Sequence, residues 1–124
     1  MEDRLFEIFN RREVFMRRLR ESTPEGNPEW PLDLSEKSSQ QYIRDIALRG
    51  VEEMFEALQH LKNWKPHRKT EIKDFNREEF LEEIVDAFNY FLSILILTGF
   101  DDSDLINAYR RKDLIINKRL DSGY

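Results

Sequence analysis

Residues 77–98, REEFLEEIVDAFNYFLSILILT, constrain the fold more than any other stretch of the chain. Phe80, Leu81, Ile84, Val85, Phe88, Phe91, Leu92, Leu95 and Ile96 form an apolar surface wider than the stripe of an ordinary surface helix. A narrow polar row of Glu79, Glu82, Glu83, Asp86, Asn89 and Ser93 runs down one side. Such a helix is covered on several sides, by other helices and by a second subunit. Asn76-x-x-Glu79 caps its start, and Gly99 is placed to end it near Thr98. The apolar run over residues 88–100 is broken by Asn89, Ser93 and Thr98 and falls short of the roughly 20 residues a membrane span needs, so no membrane partner is expected.

Three further helices fit the remaining sequence. Over residues 3–20, Leu5, Ile8, Phe9, Phe15, Met16 and Leu19 recur at three- and four-residue steps, and Arg12 falls where an apolar side chain is due. Its guanidinium must snorkel out, meet a buried acid or point into a ligand cavity. Arg11, Arg17, Arg18 and Arg20 lie off the stripe and read as solvated surface. Residues 21–37 hold Pro24, Gly26, Pro28 and Pro31 and form a long irregular connection. Trp30, inside it, either pins the loop to the core or stacks on a nucleobase. Ser38-x-x-Gln41 has the form of a capping box for a helix running to about Asn63, with Ile43, Ile46, Ala47, Val51, Met54, Phe55, Leu58 and Leu61 on its stripe. Residues 64–75 make a basic connection with Lys65, His67, Arg68 and Lys69 that reads as a solvated loop or a cover for phosphate oxygens. His60 and His67 have no partner at metal-ligand spacing. Acids at residues 101–104 open a last helix carrying Leu105, Ile106, Tyr109, Leu114 and Ile115 or Ile116, and the chain closes in a basic, turn-like tail over residues 112–119 followed by LDSGY.

The expected class is all-α, with residues 1–124 as a single domain, because 36% of the chain is charged and only four glycines and four prolines interrupt it. A net charge of -5 argues against a nucleic-acid partner, which needs clustered cations. No cysteine is present, which suits a reducing cytoplasm, and the acidic start MEDRLFEIFNRRE does not read as a secretory signal. A cytoplasmic protein is therefore expected.

Two acid pairs carry the chemistry, Glu53-x-x-Glu56 on the second helix and Glu83-x-x-Asp86 on the third. An i, i+3 spacing puts both members of a pair on one helical face, so two such helices side by side converge four carboxylates. Two carboxylates about 4 Å apart repel by about 4 kcal/mol at an effective dielectric of 20, a cost that a divalent cation offsets. Both pairs border an apolar stripe, and the row Asp86, Asn89, Ser93 leads from the acids into the most apolar part of the chain. Buried polar groups there need partners, which a nucleoside sugar or base could supply and which, without a ligand, waters or other side chains would have to supply.

At VEEMFEAL, EEIVDAFNYFLSILILTGF and YRRKDLIINKRLDSGY the sequence resembles the all-α nucleoside triphosphate pyrophosphatase superfamily, the MazG-like enzymes, dimeric dUTPases and phage dCTP pyrophosphatases. The resemblance runs from about residue 5 to the end. It implies a four-helix MazG-like bundle completed by oligomerisation, as a homodimer or homotetramer, and magnesium-dependent hydrolysis of a nucleoside triphosphate to the monophosphate and pyrophosphate. By position, it makes Glu53, Glu56, Glu83 and Asp86 the ligands of magnesium or manganese, with Glu52 as a supporting acid. Lys112, Arg119 and Tyr124 would hold the phosphates, with Gly123 beside them, and Arg12, Asn89 and Ser93 the nucleoside. Glu53 or Glu56 would orient or deprotonate the attacking water. Asn89 and Ser93 depart from the histidine and asparagine typical of the dUTPase and dCTPase branch, Ile116 and Leu120 from its polar Asn and Gln, and Arg12 from its glutamine. The competing readings are a nucleotide-binding regulatory module of the same fold and a helical association domain with a solvated acidic face.

Overall fold

Capping chemistry sets the helix boundaries. The computed structural model describes residues 3–69 and 74–123 and contains α1 (Arg4–Ser22), α2 (Lys37–Leu58), α3 (Arg77–Leu97) and α4 (Asp102–Asp121). No strand occurs among the described residues, so the class is all-α. Asp3 caps α1 by accepting from the Phe6 N–H at 3.0 Å. Asn76 Oδ1 accepts from the Glu79 N–H at 3.0 Å ahead of α3, the cap its sequence predicts. At the other end of α3 the Phe100 N–H reaches the Leu95 carbonyl and the Gly99 N–H that of Ile96, a Schellman closure in which Gly99 takes φ +88°. Asp101 and Asp104 then form a reciprocal capping box that starts α4 at once.

The sequence expectations for α2 and the tail need correction. Ser38 and Gln41 form no capping box, because α2 begins at Lys37 and its N-cap is Glu36, which makes no side-chain bond. Asp33 has already folded the entry: its carboxylate accepts from the Ser35 N–H and hydroxyl at 2.9 and 2.7 Å, and the Glu36 N–H reaches the Asp33 carbonyl. The same bonds, the hydroxyl first, hold the Asp33 carboxyl below its usual range. α2 stops at Leu58 rather than near Asn63, since the N–H groups of His60 and Leu61 turn to carbonyls three residues back. The tail over residues 112–119 is helical, not turn-like. No glycine or proline interrupts α4, and its leucines, isoleucines, lysines and arginines sustain a helix.

The chain divides into two compact units, one made of the described residues up to Leu32 and from Leu95 onward, the other of Asp33–Ile94. In the first, α1 contacts α4, and Phe9, Met16, Ile96 and Leu97 are buried. The connection after α1 is tied down within this unit: Arg20 pairs with Glu29 at 2.7 Å, and the Leu32 N–H donates to the Leu97 carbonyl at 2.7 Å.

In the second unit α2 and the main part of α3 form an antiparallel hairpin. Gly50 lies against Tyr90 and Phe91, and His60, past the end of α2, meets Phe80 near the start of α3 with ring centroids 6.3 Å apart. Ile46, Gly50 and Ala57 are buried on α2, and Ala87 and Leu92 on α3. A Cβ at Gly50 would stand 3.1 Å from Tyr90 Cβ and 3.2 Å from Phe91 Cζ, so a larger side chain would have to push these neighbours aside. Gly50→Leu should therefore destabilise the chain by about 1–3 kcal/mol, the usual cost of overpacking, read as a lower Tm in thermal circular dichroism. An unchanged Tm would show that the two helices part without cost.

Candidate metal centre

The close packing at Gly50 sets two rows of acids side by side. On α2, Glu53 and Glu56 sit three residues apart on one face, and Glu83 faces them from α3. One carboxylate oxygen from each of these three residues lies within 4.8 Å of the other two. Glu53 and Glu83 are half-buried, and Glu56 is exposed. Asp86 is exposed and stands outside that triangle, yet its charge is felt at Glu53. Glu52 is exposed and is not part of the cluster.

Glu53 records the crowding. Its carboxyl is raised above the ordinary 4.5, first by partial desolvation, then by the charge of Glu56, a hydrogen bond with Glu56, and the charges of Asp86 and Glu83. These groups favour a shared proton or a cation in place of full ionisation. The donor set is entirely carboxylate oxygen, the hard-ligand chemistry that magnesium and manganese take, so the residues fit such an ion.

The polar row beyond the acids continues along α3 as its spacing predicts. Asn89 is half-buried and Ser93 buried, and the Ser93 hydroxyl donates to the Asn89 carbonyl at 2.9 Å. Every buried side-chain nitrogen or oxygen among the described residues has a hydrogen-bond partner.

The remaining residues singled out by sequence belong to the first unit. Arg12 is half-buried, and its guanidinium lies 4.9 Å from the Phe15 ring centroid. Trp30 is half-buried with the Arg17 guanidinium over its ring at 4.9 Å. Lys112 and Arg119 are exposed on α4. Tyr124 lies outside the described residues. Arg11 and Arg17 pair with Glu7 and Glu13 one turn earlier, at 2.9 and 2.8 Å, as surface charges on a helix do. Sequence spacing passes over Gly50, which allows the acids to converge; its signal is a lone glycine within a helical stretch.

Comparison with protein-family models, with curated proteins and with solved structures finds no match.

The raised Glu53 carboxyl fixes a pH dependence. In metal-free protein the folded state keeps a proton on Glu53 at pH values where the unfolded chain has released it, so the folded state binds more protons there. Stability should fall as pH rises from about the ordinary 4.5 through the raised folded value, and level off above it. Glu53→Gln should flatten that slope when Tm is followed against pH in EDTA. A slope equal to that of the unaltered chain would mean that Glu53 does not titrate in the cluster.

Proposed function

We propose that the chain hydrolyses a nucleoside or deoxynucleoside triphosphate to the monophosphate and pyrophosphate in the presence of magnesium, as a MazG-like or dUTPase- and dCTPase-like enzyme of the nucleotide pool. One observation carries the reading: Glu53, Glu56 and Glu83, from two helices, bring carboxylate oxygens within 4.8 Å of one another. Glu53, Glu56 and Glu83 would hold the ion, with Asp86 adding charge beside them. Bound there, magnesium supplies Lewis-acid polarisation of the phosphoryl oxygens. Glu53 or Glu56 would orient the attacking water or take its proton. Lys112 and Arg119 would offset phosphate charge, while Asn89, Ser93 and Arg12 would select the nucleoside. We place the enzyme in the cytoplasm.

The departures at Asn89 and Ser93 also favour a second reading, a nucleotide-binding regulatory module with little turnover. The Ser93 hydroxyl is already engaged by its own helix, which leaves less of it for a nucleoside.

The apolar side chains that the chain leaves in water favour a homodimer or homotetramer. On α2, Leu48 and Val51 are exposed, and on α3 so are Val85 and Phe88. Their three-residue steps make a helix-packing stripe on each arm of the hairpin. Val51→Glu combined with Val85→Glu should shift the species in sedimentation velocity toward monomer without unfolding it; an unchanged mass would remove this face from the interface.

Pyrophosphate release from a dNTP panel, with and without magnesium, tests the activity. Metal-dependent turnover of at least one dNTP is expected, with a loss of 100-fold or more in Glu53→Gln or Glu83→Gln, the range set by about 10²–10⁴ for a general base. Absence of metal-dependent turnover of every dNTP, or full activity in Glu53→Gln, would sink the proposal. Saturable nucleotide binding without turnover would establish the regulatory reading, and no rise in Tm with magnesium plus nucleotide would eliminate both.

A further inference from the structure

The segment after α2 builds a second site, independent of the acids. A cavity of about 880 Å³ lies there, within the 300–1,000 Å³ range of small-molecule sites. Phe55, Leu58 and Leu61 give it an apolar floor, and Trp64, 68% exposed, offers its indole. Lys62, Lys65 and Arg68 line it together with Gln59 and Asn63, and among the described residues no acid contributes to it, in a chain with 25 acids and a net charge of -5.

Those cations are placed by local chemistry. The Arg68 N–H donates to the Lys65 carbonyl at 3.2 Å, closing a turn over residues 65–68 with Pro66 at its second position, where the fixed φ of proline suits a turn. Lys65 Nζ lies 5.5 Å from the centroid of the Trp64 ring. Among the described residues none of the three cations forms an ion pair, whereas Arg11, Arg17, Arg20 and Arg49 all do.

We propose that this cavity binds an amphipathic organic anion, an aromatic body seated on the apolar floor beside Trp64 with a phosphomonoester-type end among Lys62, Lys65 and Arg68. The apolar floor rewards a hydrocarbon or aromatic body by removing it from water. A neutral body would leave the rim cations without a counter-charge, and a bare anion would leave the floor and the indole wet. Three cations match an end bearing two negative charges better than a monocarboxylate. A nucleic-acid strand, which multiplies phosphate contacts along its length, finds too few cations here.

Calorimetric titration of the full chain in EDTA tests this with three probes: 1-naphthyl phosphate, 1-naphthol and inorganic phosphate. Naphthyl phosphate should bind, and the two half-ligands should bind at least tenfold more weakly. The variant Lys62→Gln/Lys65→Gln/Arg68→Gln and, separately, Trp64→Ala should each lower naphthyl phosphate affinity at least tenfold while the thermal melt by circular dichroism is retained. Absence of naphthyl phosphate binding, equal binding of either half-ligand, or affinity undiminished in the triple variant would overturn the assignment. So would protection of Trp64 from acrylamide quenching in the free Trp30→Phe chain, which would mean that a second copy or the chain itself fills the cavity. Because EDTA holds the acids metal-free, failure here leaves the proposed hydrolysis untouched.

Discussion

Gly50 leaves no side chain between α2 and α3, and the rest of the second unit depends on that close approach. A Cβ there would stand only 3.1 and 3.2 Å from atoms of Tyr90 and Phe91, tighter than ordinary contact. The helices can then present Glu53, Glu56 and Glu83 as one group. The packing that favours the hairpin therefore also forces like charges together. Apolar burial around Ile46, Ala57, Ala87 and Leu92 must outweigh that repulsion in the metal-free chain. Separating the acids would require opening the helix pair.

The two arms of the hairpin divide their chemistry by face. Helical periodicity sets Glu53 and Glu56 to one side of the Gly50 and Ala57 contact, and Leu48, Val51, Phe55 and Leu58 to the other. α3 repeats the division, with Glu83 and Asp86 opposite Leu81, Val85 and Phe88. One layer of two helices thus carries an acidic face and an apolar face. Neither face can move without the other, because both are fixed by the same buried contact.

Much of this was legible in the sequence, for physical reasons that differ by element. The caps at Asn76, Gly99 and the residues from Asp101 to Asp104 are local, requiring only side chains within four residues of one another. The acid pairs could be read because a three-residue spacing defines a face whatever the helix packs against. The start of α2 escaped, since Ser38-x-x-Gln41 fits a cap pattern that the Asp33–Ser35 turn pre-empts upstream. The tail escaped because a run of basic residues says little about helix or turn when no breaker is present. The cations beside Trp64 could be read as a basic connection, but the floor beneath them could not: such a loop has no periodicity, so only the folded chain brings Phe55 and Leu58 beneath it.

The bond from the Leu32 N–H to the Leu97 carbonyl gives the first connection a part in finishing α3. The last carbonyls of a helix lack partners within it, and this one receives its donor from a segment far away in sequence. Pro31 rests on Gly99 at the same corner. The connection is thus two segments with different tolerances. Residues 24–29, mostly exposed, can absorb insertions at the modest entropic cost of a longer loop, whereas a shift in register at residues 30–32 would strip a helix end of its hydrogen bond and move the wall that Gly99 needs.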